Sequence, residues 1–111
     1  MNTFVYNAYV DSVYDGDTIT CTIDLGFGIY FSKQKIRLYG LDTPEVRGEE
    51  RDDGLISRDK LRDRILDKDV IIKTIKDKKC KYGRYLGIIY LEGENINDWL
   101  IENGLAERAE Y

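Results

Sequence analysis

The sequence predicts an α+β domain that is mainly β, with five strands and two to three helices, and three observations carry that expectation. Segments rich in β-branched and aromatic residues recur between glycine-bearing turns over residues 4–41. A charged stretch with apolar residues at helical spacing follows at 55–67. Two short apolar runs, 70–75 and 86–91, then lead into a second helical pattern at 96–103. A chain of 111 residues has the length for one core, so a single domain over 1–111 is expected.

Residues 4–13 form the first predicted strand, and Asp15-Gly16-Asp17 turns the chain. From Thr18 onward Ile19, Cys21, Ile23 and Leu25 alternate with Thr18, Thr20, Thr22 and Asp24, the period of a half-buried strand over 18–25. Gly26-Phe27-Gly28 makes the next turn, and a third strand is expected over 29–41. Pro44, the sole proline, biases Thr43 to an extended conformation and ends that strand. Residues 46–53 carry Arg47, Glu49, Glu50, Arg51, Asp52 and Asp53 without apolar anchors, which predicts a solvated, mobile loop. The helix at 55–67 has only Leu61 and Ile65 as an apolar stripe, so it should rest one side on a sheet. A basic stretch from Lys76 to Arg84 is expected as a loop between the fourth and fifth strands. The last helix places Ile96, Trp99 and Leu100 on one face, with Gly104 as its C′ residue. Five strands with a helix after the third and another after the fifth close most simply as a five-stranded barrel of the OB type.

Composition narrows the chemistry. The chain has no histidine, which excludes mechanisms that need an imidazole. Cys21 and Cys80 have neither the spacing nor the company for a zinc site and read as free thiols. No apolar run reaches the ~18 residues of a membrane span. The N-terminus lacks the basic and apolar regions of a secretory signal, so a cytoplasmic protein is expected, with a secreted mature form as the alternative, and a monomer is expected as well. The net charge of −4 opposes nonspecific grip on nucleic acid. Lys76, Lys78, Lys79, Lys81 and Arg84 nevertheless make a local basic patch, with Tyr82 and Tyr85 interleaved.

Three segments carry complementary chemistry. Asp15-Gly16-Asp17-Thr18 places carboxylates at a turn, and Leu41-Asp42-Thr43-Pro44-Glu45 places more where a strand ends, five residues after Arg37. Lys81-Tyr82-Gly83-Arg84 supplies a second arginine. Alone, the first is an ordinary hairpin turn and the last an ordinary solvated loop. Together they offer an all-oxygen site for a hard cation beside two guanidiniums that can grip a phosphate.

With the terminal Asn97 to Asn103-Gly104-Leu105-Ala106, these segments resemble the staphylococcal nuclease (thermonuclease) family, in its order and spacing, from about Tyr9 to Ala109. The resemblance implies an OB-fold barrel and a calcium-dependent hydrolase acting on DNA and RNA, with single-stranded or frayed substrate as partner. It implies that Asp17 and Asp42 hold Ca2+ by their carboxylates and Thr43 by its backbone carbonyl. It implies that Arg37 and Arg84 grip the scissile phosphate, that Glu45 is the general base, and that Lys81 and Tyr82 contact nucleic acid. The loop after Glu45 is shorter and more acidic than the family's best-known pattern. The competing expectation is a non-catalytic OB-fold module that binds single-stranded nucleic acid. Retention of Asp17, Arg37, Asp42, Glu45 and Arg84 argues against it.

Overall fold

Inward alternation on β1, β2 and β5 and the buried end of β3 decide the architecture. In a computed structural model, which describes residues 4–79 and 83–109, the strands are β1 (Val5–Asp15), β2 (Thr18–Gly26), β3 (Ile29–Leu38), β4 (Leu41–Asp42), β5 (Asp69–Lys79), β6 (Tyr85–Leu91), β7 (Glu94–Asn95) and β8 (Glu107–Arg108). The helices are α1 (Arg51–Ile65) and α2 (Ile96–Glu102). Neighbouring strands run β3-β2-β1-β5-β6, and a parallel pairing of β3 with β6 closes the ring. The result is a five-stranded OB-fold barrel in a mainly β, α+β chain with two α-helices. Val10, Ile19, Cys21, Ile36, Leu38, Ile72 and Ile89 fill its interior. Burial pushes the Cys21 thiol up to about 12, with a smaller push from Asp11, so it is an inert part of the packing.

Closure rests on three pairs: Ile36 with Tyr85, Arg37 with Leu86 and Leu38 with Gly87. A Cβ on Gly87 would lie 3.1 Å from Ile36 Cγ2 and 3.2 Å from Ile72 Cγ2, so glycine lets β6 fit between β3 and β5. Asn97, buried on α2, secures the same seam. Its amide nitrogen donates to the carbonyls of Tyr39 (2.9 Å) and Gly87 (3.2 Å), and its oxygen accepts from the Ile89 N–H (3.1 Å).

Both helices end on identifiable chemistry. α1 buries Gly54, Ser57, Leu61 and Ile65, a stripe that begins small and ends large, and it lies against β1. It starts at Arg51, four residues before the expected 55, after a 3₁₀ turn at Gly48–Glu50. The predicted loop 46–53 is therefore largely helical. Asp52 and Asp53 suit the positive end of a helix dipole, which their lack of apolar neighbours hid. In α2, Asn95 caps the Asp98 N–H (3.0 Å). Gly104, at φ 70°, lets its own N–H reach Ile101 O and the Leu105 N–H reach Leu100 O, the paired bonds expected at a C′ glycine. Trp99 is only partly buried against the core, with the Arg64 guanidinium 4.9 Å above its ring.

Two expected boundaries move. The third strand stops at Leu38, not 41, because Gly40 at φ 84° turns the chain and Leu41–Asp42 pairs separately with Glu107–Arg108. The basic stretch expected as a loop is strand as far as Lys79, which pairs with Tyr85. Cys80 lies outside the described residues.

Replacing Asn97 by Ala should destabilise the barrel by about 2–3 kcal/mol, since buried backbone groups lose their partner. Urea unfolding of the variant against the parent measures this, and an unchanged midpoint would show that the seam closes without the amide.

Candidate active site

The β1–β2 turn builds one side of the site. The Asp17 N–H donates to Asp15 Oδ1 at 3.0 Å, which tightens the turn, and Gly16 sits between them. A Cβ on Gly16 would lie 2.8 Å from Thr43 Cγ2 and 3.0 Å from Ser57 Cβ, so the turn presses onto both the exit of β4 and α1. The Thr43 N–H in turn donates to Asp17 Oδ2 at 3.3 Å. Thr43 Oγ1 is buried with no hydrogen-bond partner among the described residues.

Arg37 joins the two acidic segments. It is only 8% exposed, at the end of β3 opposite Thr18. Nη2 donates to Asp42 Oδ1 at 2.6 Å, while Nη1 lies 3.4 Å from Asp17 Oδ2 and donates to Leu38 O at 3.0 Å. One planar guanidinium thus spans two carboxylates from separate turns. Asp17 is buried, whereas the Asp42 side chain is 63% exposed, so the ion pair reaches from the barrel wall out to solvent. β8 holds β4 from behind, with a further bond from the Ala109 N–H to Gly40 O (2.9 Å).

Arg84, half-buried just before β6, approaches from the opposite side of the closure. Its Nη1 donates to Thr18 Oγ1 (3.4 Å), and that hydroxyl donates to Asp17 Oδ1 (3.1 Å). Arg37 and Arg84 therefore converge on the same carboxylate, one directly and one through a hydroxyl. Lys81 and Tyr82, expected beside Arg84, lie outside the described residues. Asp15 is pushed up to about 7, first by burial and then by its hydrogen bond and charge repulsion with Asp17. Donation from the Asp17 and Thr18 backbone N–H groups pulls the other way.

Glu45 is exposed, and its position is fixed through its backbone. The Glu45 N–H reaches Glu50 Oε2 at 3.4 Å. On its far side Gly54 of α1 comes so close that a Cβ there would lie 1.9 Å from Glu45 O and 2.9 Å from Pro44 O. Three residues on, Ser57 donates to Leu105 O at 2.7 Å. Sequence reasoning missed Gly54 and Ser57. Their signal was present as small residues at helical spacing ahead of Leu61 and Ile65.

One open polar cleft of about 1190 Å³ is lined by Asp15, Asp17, Arg37, Asp42, Thr43, Glu45 and Arg84 together. Its donors for a cation are oxygens alone, which suits a hard ion. Among the described residues no group of three or more acidic, Cys or His side chains is gathered closely enough to hold a metal ion by side chains alone. The arrangement can hold a phosphate between two guanidiniums with a carboxylate nearby.

Residues 35–111 match the family model described as staphylococcal nuclease homologue. The chain is also similar to an uncharacterized endonuclease of Haemophilus influenzae, at 31% identity over 97 residues, 87% of this chain and 49% of the relative. A thermonuclease of Staphylococcus hyicus is 30% identical over 102 residues, 89% of this chain and 57% of its own length. Endonuclease YncB of Bacillus subtilis is 31% identical over 117 residues, covering 93% and 48%. The chain spans about half the length of these curated relatives.

Gly54→Ala separates position from propensity. Alanine would favour an ordinary helix interior by about 1 kcal/mol, yet here overpacking against Glu45 should destabilise by about 1–3 kcal/mol. A thermal melt decides the sign, and a stabilised variant would refute the contact.

Proposed function

From the premise that this chain belongs to the staphylococcal nuclease homologue family, we propose that it is a calcium-dependent phosphodiesterase that hydrolyses DNA and RNA through attack of water at phosphorus. The observation that supports this most is Arg37 bridging Asp17 and Asp42 inside the cleft that Arg84 and Glu45 also line.

Asp17, Asp42 and the Thr43 carbonyl would hold the calcium. The fit rests on donor chemistry: oxygens only, with two carboxylates already gathered beside a buried hydroxyl that lacks a described partner. When bound, calcium supplies positive charge beside the phosphoryl oxygens. The remaining roles belong to the chain's own side chains. Arg37 is oriented by its carboxylate partners before substrate arrives, so its fork is preorganised. Arg37 and Arg84 donate to the nonbridging oxygens, and more strongly as charge accumulates there in the transition state. Glu45, exposed to the cleft, takes a proton from the attacking water. The water oxygen forms the new P–O bond, and the leaving oxygen departs with the electron pair of the broken one and is protonated by solvent. Lys81 and Tyr82 extend the contact to the nucleic acid backbone in this reading, with single-stranded or frayed chains as substrate because their phosphates are open to both arginines.

The purified protein should cleave single-stranded DNA in calcium and stop in excess chelator. Arg84→Lys, which keeps the charge but loses the planar fork, should lower the single-turnover rate about a hundred- to a thousand-fold. Calcium at ~100-fold excess over its dissociation constant should stabilise the fold by about 2.7 kcal/mol. Binding without cleavage would instead support a nucleic-acid-binding module, and full activity in chelator would remove the calcium.

A further inference from the structure

The cleft is larger than its acidic and phosphate-gripping groups require. Its volume of about 1190 Å³ exceeds the ~300–1,000 Å³ of pockets that enclose drug-sized ligands. The additional lining comes from elements that carry none of the carboxylates Asp17, Asp42 or Glu45: Lys35 on β3, and Arg58 and Arg62 on α1, with Tyr14 on β1. Arg62 Nη2 donates to Val13 O at 3.0 Å, which anchors this helix face over the end of β1. Arg58 is held by two bonds from Nε and Nη2 to the exposed Asp59, each 3.0 Å. Val13 points into the core, and Tyr14, the next residue, turns outward at 55% exposure, so packing gives its ring no employment.

We propose that Arg58 and Arg62, which line the cleft together with Tyr14 and Lys35, form a second subsite that binds the sugar-phosphate backbone and one base of a single strand beyond the scissile position. Two guanidiniums four residues apart on α1 suit successive phosphates, while the exposed Tyr14 phenol offers a stacking face that any base can use. Asp59 and Glu50 temper the positive charge, so the subsite positions a polyanion without making the whole acidic protein adhesive. This rests on the nucleic-acid reading of the same cleft and adds to it a preference for chains over dinucleotides.

The test uses a fluorescent octathymidylate with phosphorothioate linkages, which resist cleavage, titrated by anisotropy in calcium over a series of salt concentrations. Each phosphate contact on a single strand contributes about 0.7 to the slope of log affinity against log salt. Arg58→Gln should shallow that slope by about 0.7, and the Arg58→Gln, Arg62→Gln pair by about 1.4. Tyr14→Ala should weaken octamer binding about tenfold at constant slope. Arg62→Gln also loses its bond to Val13 and so loosens the fold, but Arg58 is held by the exposed carboxylate of Asp59, so its slope reports contact and not unfolding. Cleavage of ordinary octathymidylate is followed in parallel. If the parent cleaves while Arg58→Gln keeps the parent slope, the subsite is wrong and the nuclease reading stands. If the parent binds but does not cleave, and the slopes shallow as stated, the subsite stands and the catalytic reading falls.

Discussion

Everything in the site depends on the three-residue parallel pairing of β3 with β6. Parallel pairing is slightly weaker per residue than antiparallel, and here it is short, so its stability is supplied from outside the ladder. Gly87 removes the side chain that would hold the strands apart. The Tyr39 N–H adds a 2.8 Å bond to Gly87 O, and the Asn97 amide satisfies carbonyls on both sides. Because Arg37 lies within the paired stretch and Arg84 directly precedes it, closing the barrel is the same event that brings the two guanidiniums together.

A second constraint acts across the site. The β1–β2 turn, the exit of β4 and the first half of α1 meet at positions where side chains are small or absent. Gly16 lies on Thr43 and Ser57, and Gly54 lies on Glu45. Farther along α1, Leu61 and Ile65 are fully buried, each contributing about 1.5–3 kcal/mol of hydrophobic stabilisation. The helix therefore anchors itself with its second half and positions the acidic loops with its first. Polar geometry at the cleft is set by apolar packing two turns away.

Much of this was legible in the residues. The strict alternation around Ile19, Cys21 and Ile23 specified an inward face, and Gly104 announced the end of the last helix. The acidic turns and Arg37 were visible as chemistry, and the structure brings Asp17, Arg37, Asp42, Glu45 and Arg84 into one cleft. What escaped was of three kinds. Two-residue strands such as Leu41–Asp42 and Glu107–Arg108 have no periodicity, so the break at Gly40 looked like continuous strand. The start of α1 carries charge on all sides and buries no large side chain, so it imitated a loop. Asn97 was visible as the start of the terminal motif, but its part in closing the barrel was not, because its three partners sit on β6 and on the turn after β3, which only the fold brings together.

The Gly54 contact bears on how such a domain can diversify. Glu45 is held from behind by the helix backbone and in front by its place directly after Pro44. Val46 and Arg47 connect these supports to the 3₁₀ turn, whose Glu50 returns to accept from the Glu45 N–H. Insertions or deletions there alter reach, charge and steric gating over the cleft while the carboxylate keeps its station. Loop length is thus an evolvable parameter decoupled from the chemistry, and a designer could graft a longer or differently charged segment at this point to retune which substrates gain entry.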